Sequence, residues 1–265
     1  MRLCSIASGS SGNCIYIGTE NTHLLIDAGI SAKRIEKGLS ELGVKGSELS
    51  GILITHEHSD HIGGLGVFSR KNEVPIYTTK ETFACIKEAR SLGEIPEGLH
   101  REIFPDVEFS IGDMKISPFS IDHDAVNPCA FRVDSAGSSA AVVTDLGNYS
   151  QYTINHLQGL DAILLEANHD VHMLEAGPYP YYLKKRIMGN RGHLSNDSAG
   201  RLLGEVLHDK FKKALLGHLS KENNYADLAY ETVRLEITMG ENAYSGTDFD
   251  IAVADRSRMS EIVYI

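Results

Sequence analysis

The sequence predicts a layered α/β protein (α+β in its ordering), and three observations carry that expectation. From Glu102 to Val143 the chain reads as a run of strands, with helical stretches gathered on either side, which fits stacked layers better than a simple parallel alternation. Several apolar runs end abruptly in a carboxylate or a histidine-bearing loop, as Leu24-Leu25-Ile26-Asp27 and Ile52-Leu53-Ile54-Thr55-His56 do. The length of 265 residues is enough to bury roughly 70–75% of the unfolded surface.

Taken in order, Leu3 to Ala7 and Cys14 to Ile17 read as strands joined by Ser8-Gly9-Ser10-Ser11-Gly12-Asn13. That loop lacks the lysine of a phosphate-binding P-loop and precedes a strand, so it reads as a turn at the border of the site. The next strand ends on Asp27, either a hydrogen-bond partner for a metal-bound histidine or a turn residue. Ser31 to Leu42 is expected to be helical, capped by Ser31 and stopped at Gly43. After the strand at 52–54 come a helix from Ile62 to Arg70, a strand at 74–77 and a helix from Thr79 to Ser91. Strands follow at 102–104, 107–111, 114–121, 129–133 and 139–143, and Leu160 to Leu165 is another. Pro178-Tyr179-Pro180 introduces a helix carrying Lys184-Lys185-Arg186. A helix from Asn196 to His208 and a strand from Lys213 to Leu216 separate two copies of Gly-His-Leu-Ser, at 192–195 and 217–220. Asn223 to Ile237 reads as helix, and strands near 248–253 and 261–264 close the chain.

Chemistry concentrates in His56-Glu57-His58-Ser59-Asp60-His61, where packing gives no reason for so many imidazoles. Alternate side chains of an extended segment point the same way, so His56 and His58 can grip one cation together. Asp60 and His61, beyond the turn, are free to face a second. Imidazole with carboxylate suits zinc, manganese or iron, and a centre that keeps water among its ligands is catalytic. His123 leaves a strand where a third ligand for the first cation is wanted. Asp145 ends an apolar strand and can either bridge two cations or cap a following helix. Glu166, also at a strand end, can hydrogen-bond a catalytic histidine, whereas His169 and His172 read as surface or supporting residues. In both Gly-His-Leu-Ser copies the serine is placed to cap a helix, which sets His193 and His218 at the approach to helix starts.

The formal charge of −11 weighs against a protein that coats nucleic acid electrostatically, although bound divalent cations would invert the local field. Basic residues cluster at Arg70-Lys71, at Lys184-Lys185-Arg186, and at Lys210 with Lys212-Lys213; only the middle group falls near the expected site. No apolar run approaches the ~20 residues of a membrane helix, and no signal-peptide core follows Met1, so no membrane partner and a cytoplasmic home are expected. Cys4, Cys14, Cys85 and Cys129 show no C-x-x-C spacing and are expected as reduced thiols.

His56-x-His58-x-Asp60-His61, followed by His123, Asp145 and His218, closely resembles the metallo-β-lactamase superfamily. The resemblance implies one αββα sandwich domain over residues 1–265, with a centre of two divalent ions (Zn2+, Mn2+ or Fe) at one edge of the sheets. It implies His56, His58 and His123 on one ion, Asp60, His61 and His218 on the other, and Asp145 bridging. It also implies His193, Asp60 and Glu166 as the catalytic set, His193 matching the family's non-ligand histidine that steadies the phosphate or protonates the leaving oxygen. True β-lactamases of this type carry cysteine where Asp145 stands, so antibiotic hydrolysis is not expected. Asp145, Glu166, Gly192-His193 and Leu216-Gly217-His218-Leu219-Ser220 look like the phosphodiesterase branch that includes transfer-RNA 3′-processing endonucleases. The loop at 8–13, Asn168-His169-Asp170 and Gly192 to Asn196 are similar to the YycJ/WalJ-type subgroup, which implies a 5′-to-3′ exonuclease acting on DNA ends. Asp145 and His218 lie too close in sequence to hold the nucleic-acid clamp of larger ribonucleases, and Lys184, Lys185 and Arg186 are the candidates for holding backbone phosphates. The alternative is a small-molecule hydrolase of cyclic phosphodiesters, thioesters or lactones on the same residues, which the net acidity favours.

Overall fold

Strand alternation decides which side chains meet between layers, and the computed structural model, which describes residues 1–265, has four of them. The first part of the chain supplies β1 (Arg2–Ala7), β2 (Cys14–Gly18), β3 (His23–Ile26), β4 (Gly51–Leu53), β5 (Ile76–Thr78) and β6 (His100–Glu102). A second sheet takes β7 (Phe109–Ile111), β8 (Met114–Ser120), β9 (Cys129–Ser135), β10 (Ser138–Val143), β11 (Ala162–Glu166), β12 (Lys213–Gly217) and β13 (Asp250–Val253). The last strand, β14 (Val263–Tyr264), returns to pair with β1. The orders are β14-β1-β2-β3-β4-β5-β6 and β13-β12-β11-β10-β9-β8-β7. Each sheet is mixed: β3 to β6 run parallel, as do β10 to β13, and the remaining pairs are antiparallel.

Where both faces of the central strands are buried, at 24–26, 140–143 and 162–165, the residues are apolar. Leu24 and Ile26 point between the sheets while Leu25 points outward beneath the helices. Ala140 and Val142 of β10 repeat the pattern against Ala141 and Val143, as do Ala162 and Leu164 of β11 against Ile163 and Leu165. On the outside of the first sheet lie α1 (Ala32–Glu41), α2 (Ser59–Ile62), α3 (Leu65–Asn72) and α4 (Lys80–Glu88). Ile35 and Leu39 of α1 pack there with Leu65 and Phe68 of α3. Past the second sheet come α5 (Gln151–Leu157), α6 (Val171–Ala176), α7 (Tyr181–Ile187), α8 (Asn196–Val206) and α9 (Ala226–Met239). The α8 and α9 backbones approach closely at Gly200, where a Cβ would lie 2.5 Å from that of Glu236.

Several expected boundaries move. The helix expected over 62–70 is two helices, because Gly63 and Gly64 carry the backbone past Ile30, whose carbonyl oxygen would lie 1.9 Å from a Cβ on Gly64. The helix expected from Asn223 starts at Ala226, since Asn224 is drawn into a buried loop by bonds to Ala167 O and Asn196 Oδ1. The strand expected at 102–104 is β6 at His100–Glu102, in parallel register with β5. No helix is long and apolar enough to cross a membrane. What matters for function is that β3, β4, β10, β11 and β12 end at the same edge, the position where parallel sheets bring chain ends together around a ligand.

Candidate metal centre

Three backbone kinks aim the site. Asp27 follows β3, Asp145 follows β10 and His218 follows β12, with φ of 62°, 58° and 54°. Such left-handed conformations are uncommon for residues with a Cβ and concentrate at functional positions. After β4 the chain bends at Glu57, and His58 then sits as N-cap of α2, which turns Asp60 and His61 away from the pair before them. The turn is clasped from outside: Asn13 N donates to Asp60 O at 2.7 Å and Ala28 N to His61 O at 2.8 Å.

Nitrogen and oxygen atoms of His56, His58 and His123 lie within 4.8 Å of one another, and so do those of Asp60, His61 and His218. Asp145 stands between the two groups, Oδ2 3.0 Å from His61 Nε2 and Oδ1 3.7 Å from His123 Nε2. The rings are held from behind. His61 Nδ1 donates to Asp27 Oδ2 at 2.7 Å, His218 Nδ1 to Glu166 Oε1 at 2.7 Å and His123 Nδ1 to Gly192 O at 3.1 Å. His56 Nδ1 meets the Thr55 hydroxyl at 3.0 Å, which itself donates to Asp27 Oδ2 at 2.9 Å. Each tether uses the Nδ1 proton and leaves the Nε2 lone pair facing inward.

What those lone pairs face tests the fit to metal. His61 Nε2 has Asn13 Nδ2 at 3.1 Å, and otherwise Asp60 Oδ2 at 3.4 Å and Asp145 Oδ2 at 3.0 Å, acceptors opposite an acceptor. His56 Nε2 and Asp145 Oδ2 are buried without any hydrogen-bond partner. Burying such atoms unpaired is costly, and a cation between them removes the cost. Imidazole nitrogen and carboxylate oxygen without thiolate suit zinc, manganese or iron, so the residues present fit divalent metal.

The charges agree. Burial alone would depress His218, yet Asp145, Asp60 and Glu166 push it up to about 10. Burial would likewise raise Asp60, but His218 and His61 hold it far below the usual carboxylate range. His56, deeply buried and beside His61, moves the other way and stays neutral. The carboxylates of this cluster draw positive charge toward themselves.

Glu166 is fully buried and accepts four hydrogen bonds: from His193 Nδ1 at 2.8 Å, His218 Nδ1 at 2.7 Å, Leu146 N at 2.9 Å and Leu194 N at 3.1 Å. Burial would raise its carboxyl, but His193 and His218 lower it to about 2. His193, with 21% of its side chain exposed, lines a cavity of about 180 Å3 together with Ser10, Asp124, Asn168, Tyr179 and Arg186. A larger hollow of about 820 Å3 at the chain termini, lined by Met1, Arg2, Asp113 and Ile265 among others, contains no histidine.

The chain thus brings His56, His58, Asp60, His61, His123, Asp145, Glu166, His193 and His218 to one place. It separates the basic cluster: Lys184 Nζ donates to Glu175 O, Lys185 lies over the Tyr181 ring, and only Arg186 reaches the cavity. His169 is buried and bridges to Ser195, not at the surface, while His172 is exposed. Two contributors were not expected. Ser8 Oγ accepts from His218 N at 2.9 Å, so the Ser-Gly loop supports a candidate ligand directly. Asp124 lies 3.4 Å from His123 Nε2 through Oδ1 and binds Arg186 through Oδ2; its place next to His123 in sequence was the available signal.

Known proteins resemble the chain along most of its length. The metallo-beta-lactamase superfamily model matches residues 7–218. Exodeoxyribonuclease WalJ of Streptococcus pneumoniae is 38% identical over 246 residues, covering 93% of this chain and 91% of its own. Exodeoxyribonuclease YycJ of Bacillus anthracis is 36% identical over 262 residues, 98% of this chain and 97% of its own. Among solved structures, the metallo-beta-lactamase fold protein YhfI from Bacillus subtilis superposes with a TM-score of 0.69 over 98% of this chain and 100% of that one, at 16% identity, a likeness of fold.

Proposed function

We propose, on the premise that the chain belongs to the metallo-beta-lactamase superfamily, that it is a metal-dependent exodeoxyribonuclease working 5′-to-3′ on DNA ends. One observation carries the reaction class: seven ligand-type side chains from both sheets converge beside His193, a histidine tethered to Glu166 and open to a cavity. Near-full-length likeness to two exodeoxyribonucleases supports DNA as the polymer.

Two divalent ions, zinc or manganese and in third place iron, held by His56, His58 and His123 and by Asp60, His61 and His218 with Asp145 between, would acidify water and neutralise charge on phosphate oxygens. The remaining work falls to the chain. Glu166 fixes the His193 ring through Nδ1, so Nε2 is the atom presented to substrate. Burial opposes protonation of His193, but the charges of Glu166 and Asp145 outweigh it and raise its pKa, which suits a donor to the leaving oxygen. Arg186, tied to Asp124 at the cavity mouth, is placed to meet a second phosphate. We assign the enzyme to the cytoplasm, where DNA is at hand and the four unpaired cysteines stay reduced.

The test uses end-labelled DNA beside bis-p-nitrophenyl phosphate, with zinc and with manganese. Wild-type protein should cleave both, shortening the DNA from its 5′ end. His193→Ala should keep its metal and lose on the order of 10²–10⁴-fold in rate, the worth of a general acid. Cleavage of the small ester with DNA left whole would favour a small-molecule hydrolase, and loss of metal from His193→Ala would make that residue a ligand.

A further inference from the structure

Helix α7 buries none of its seven residues, although it stands at the lip of the cavity that holds His193. Helices in proteins draw most of their stability from packing an apolar face, so one without a buried residue has side chains free for another purpose. Tyr179, just before it, and Arg186, in its last turn, line that cavity. Tyr182 precedes Arg186 by four positions, shares its side of the helix and is 74% exposed. The neighbouring Tyr181 is covered by Lys185, whose Nζ lies 5.0 Å from the ring centre; Tyr182 carries no such cation. From Arg186 the contacts continue inward, through Nε to Asp124 Oδ2 and from Asp124 Oδ1 to His123 Nε2 at 3.4 Å. In a chain of charge −11, Arg186 brings a cation to the cavity that His193 lines, with Lys184 and Lys185 on the same helix.

We propose that Tyr182, with Tyr179 and Arg186, forms a platform for single-stranded DNA entering the site, the rings stacking on unpaired bases and the guanidinium meeting backbone phosphate. The inference rests on the nuclease reading and specifies the form of its substrate. A duplex hides its base faces, whereas an unpaired strand offers them, and stacking of this kind tolerates any sequence. A cavity of about 180 Å3 is far too small for a duplex.

Binding can be separated from cleavage by titrating the metal-loaded protein with a fluorescein-labelled 12-nucleotide strand of nuclease-resistant phosphorothioate linkages, read by anisotropy. Tyr182→Ala should weaken binding roughly 10-fold, and Tyr182→Trp should restore it. The protein contains no tryptophan, so a 2-aminopurine base in the strand can be excited apart from the protein; its emission should be quenched by wild type and much less by Tyr182→Ala. Melting temperature should be the same in all three, since Tyr182 is exposed. Equal affinity of wild type and Tyr182→Ala, with equal quenching, would overturn the platform, as would wild type that binds no strand. Hydrolysis of bis-p-nitrophenyl phosphate by metal-loaded wild type is measured alongside. Its absence would count against the hydrolytic reading while the Tyr182 dependence of strand binding stood or fell alone.

Discussion

Glu166 carries two histidines on one oxygen: Oε1 is 2.7 Å from His218 Nδ1 and 2.8 Å from His193 Nδ1, so a candidate ligand and a candidate acid share a partner. Glu166→Gln keeps the shape and removes the charge. One of its polar atoms must then present N–H to a donor already there, either a ring N–H or the amides of Leu146 and Leu194. We expect metal affinity to fall about 10–100-fold, as is usual when the partner behind a ligand is lost. Metal-titration calorimetry checks this, and unchanged affinity would make Glu166 a purely structural buried acid. Four of the ligand-type residues were legible in sequence because their density in His56-Glu57-His58-Ser59-Asp60-His61 has no packing explanation. The double duty of Glu166 was not, because it arises from parallel register: β11 sets Glu166 opposite Gly217, the residue before His218. Sequence alone does not decide between the two roles of Asp27 for a like reason, since its bonds to His61 and Thr55 depend on β3 lying beside β4.

At the scale of elements, the turn from β4 into α2 is shaped by its neighbours as much as by its own residues. Asn13 after the Ser-Gly loop and Gly29 after β3 form a clasp in which Gly29 N donates to Asn13 O at 2.8 Å and Asn13 N to Asp60 O. A Cβ on Gly29 would stand 1.7 Å from Asp60 O and 2.8 Å from Asn13 N, a contact with backbone that has nowhere to go. Gly29→Ala should therefore destabilise the fold by about 1–3 kcal/mol, the usual cost of overpacking, and weaken metal binding through Asp60. Urea unfolding with and without metal measures both; a variant as stable as wild type would mean that the turn moves freely. Strands were legible wherever both faces are buried, since runs such as Leu24-Leu25-Ile26 and Ala141-Val142-Val143 admit little else. The short α5 and α6 are not legible in sequence, as six or seven residues hold too little periodicity. Gly64 gives no sign of its role in sequence, because Ile30, whose carbonyl oxygen demands it, is distant along the chain.

Across the whole molecule, each candidate ion would be held by side chains from both sheets at their shared edge. His56 and His58 follow the first sheet and His123 the second; Asp60 and His61 follow the first and His218 the second. Metal binding should therefore tie the two halves together, and Asp145, between the groups, is where the two ions would be coupled. The layered class was legible from the grouping of strands, and the candidate ligand set rests on family resemblance, whereas the pairing of sheets at this edge is a property of the assembled chain. The most direct test of the two-ion centre is metal stoichiometry by native mass spectrometry, measured on active wild type and on Asp145→Asn. Asparagine tolerates the left-handed backbone that Asp145 adopts, so this variant removes charge without forcing a new conformation. We expect two ions per chain in active wild type, and in Asp145→Asn at most one retained, with phosphodiesterase activity lost. Full activity in wild type holding a single ion would contradict the account.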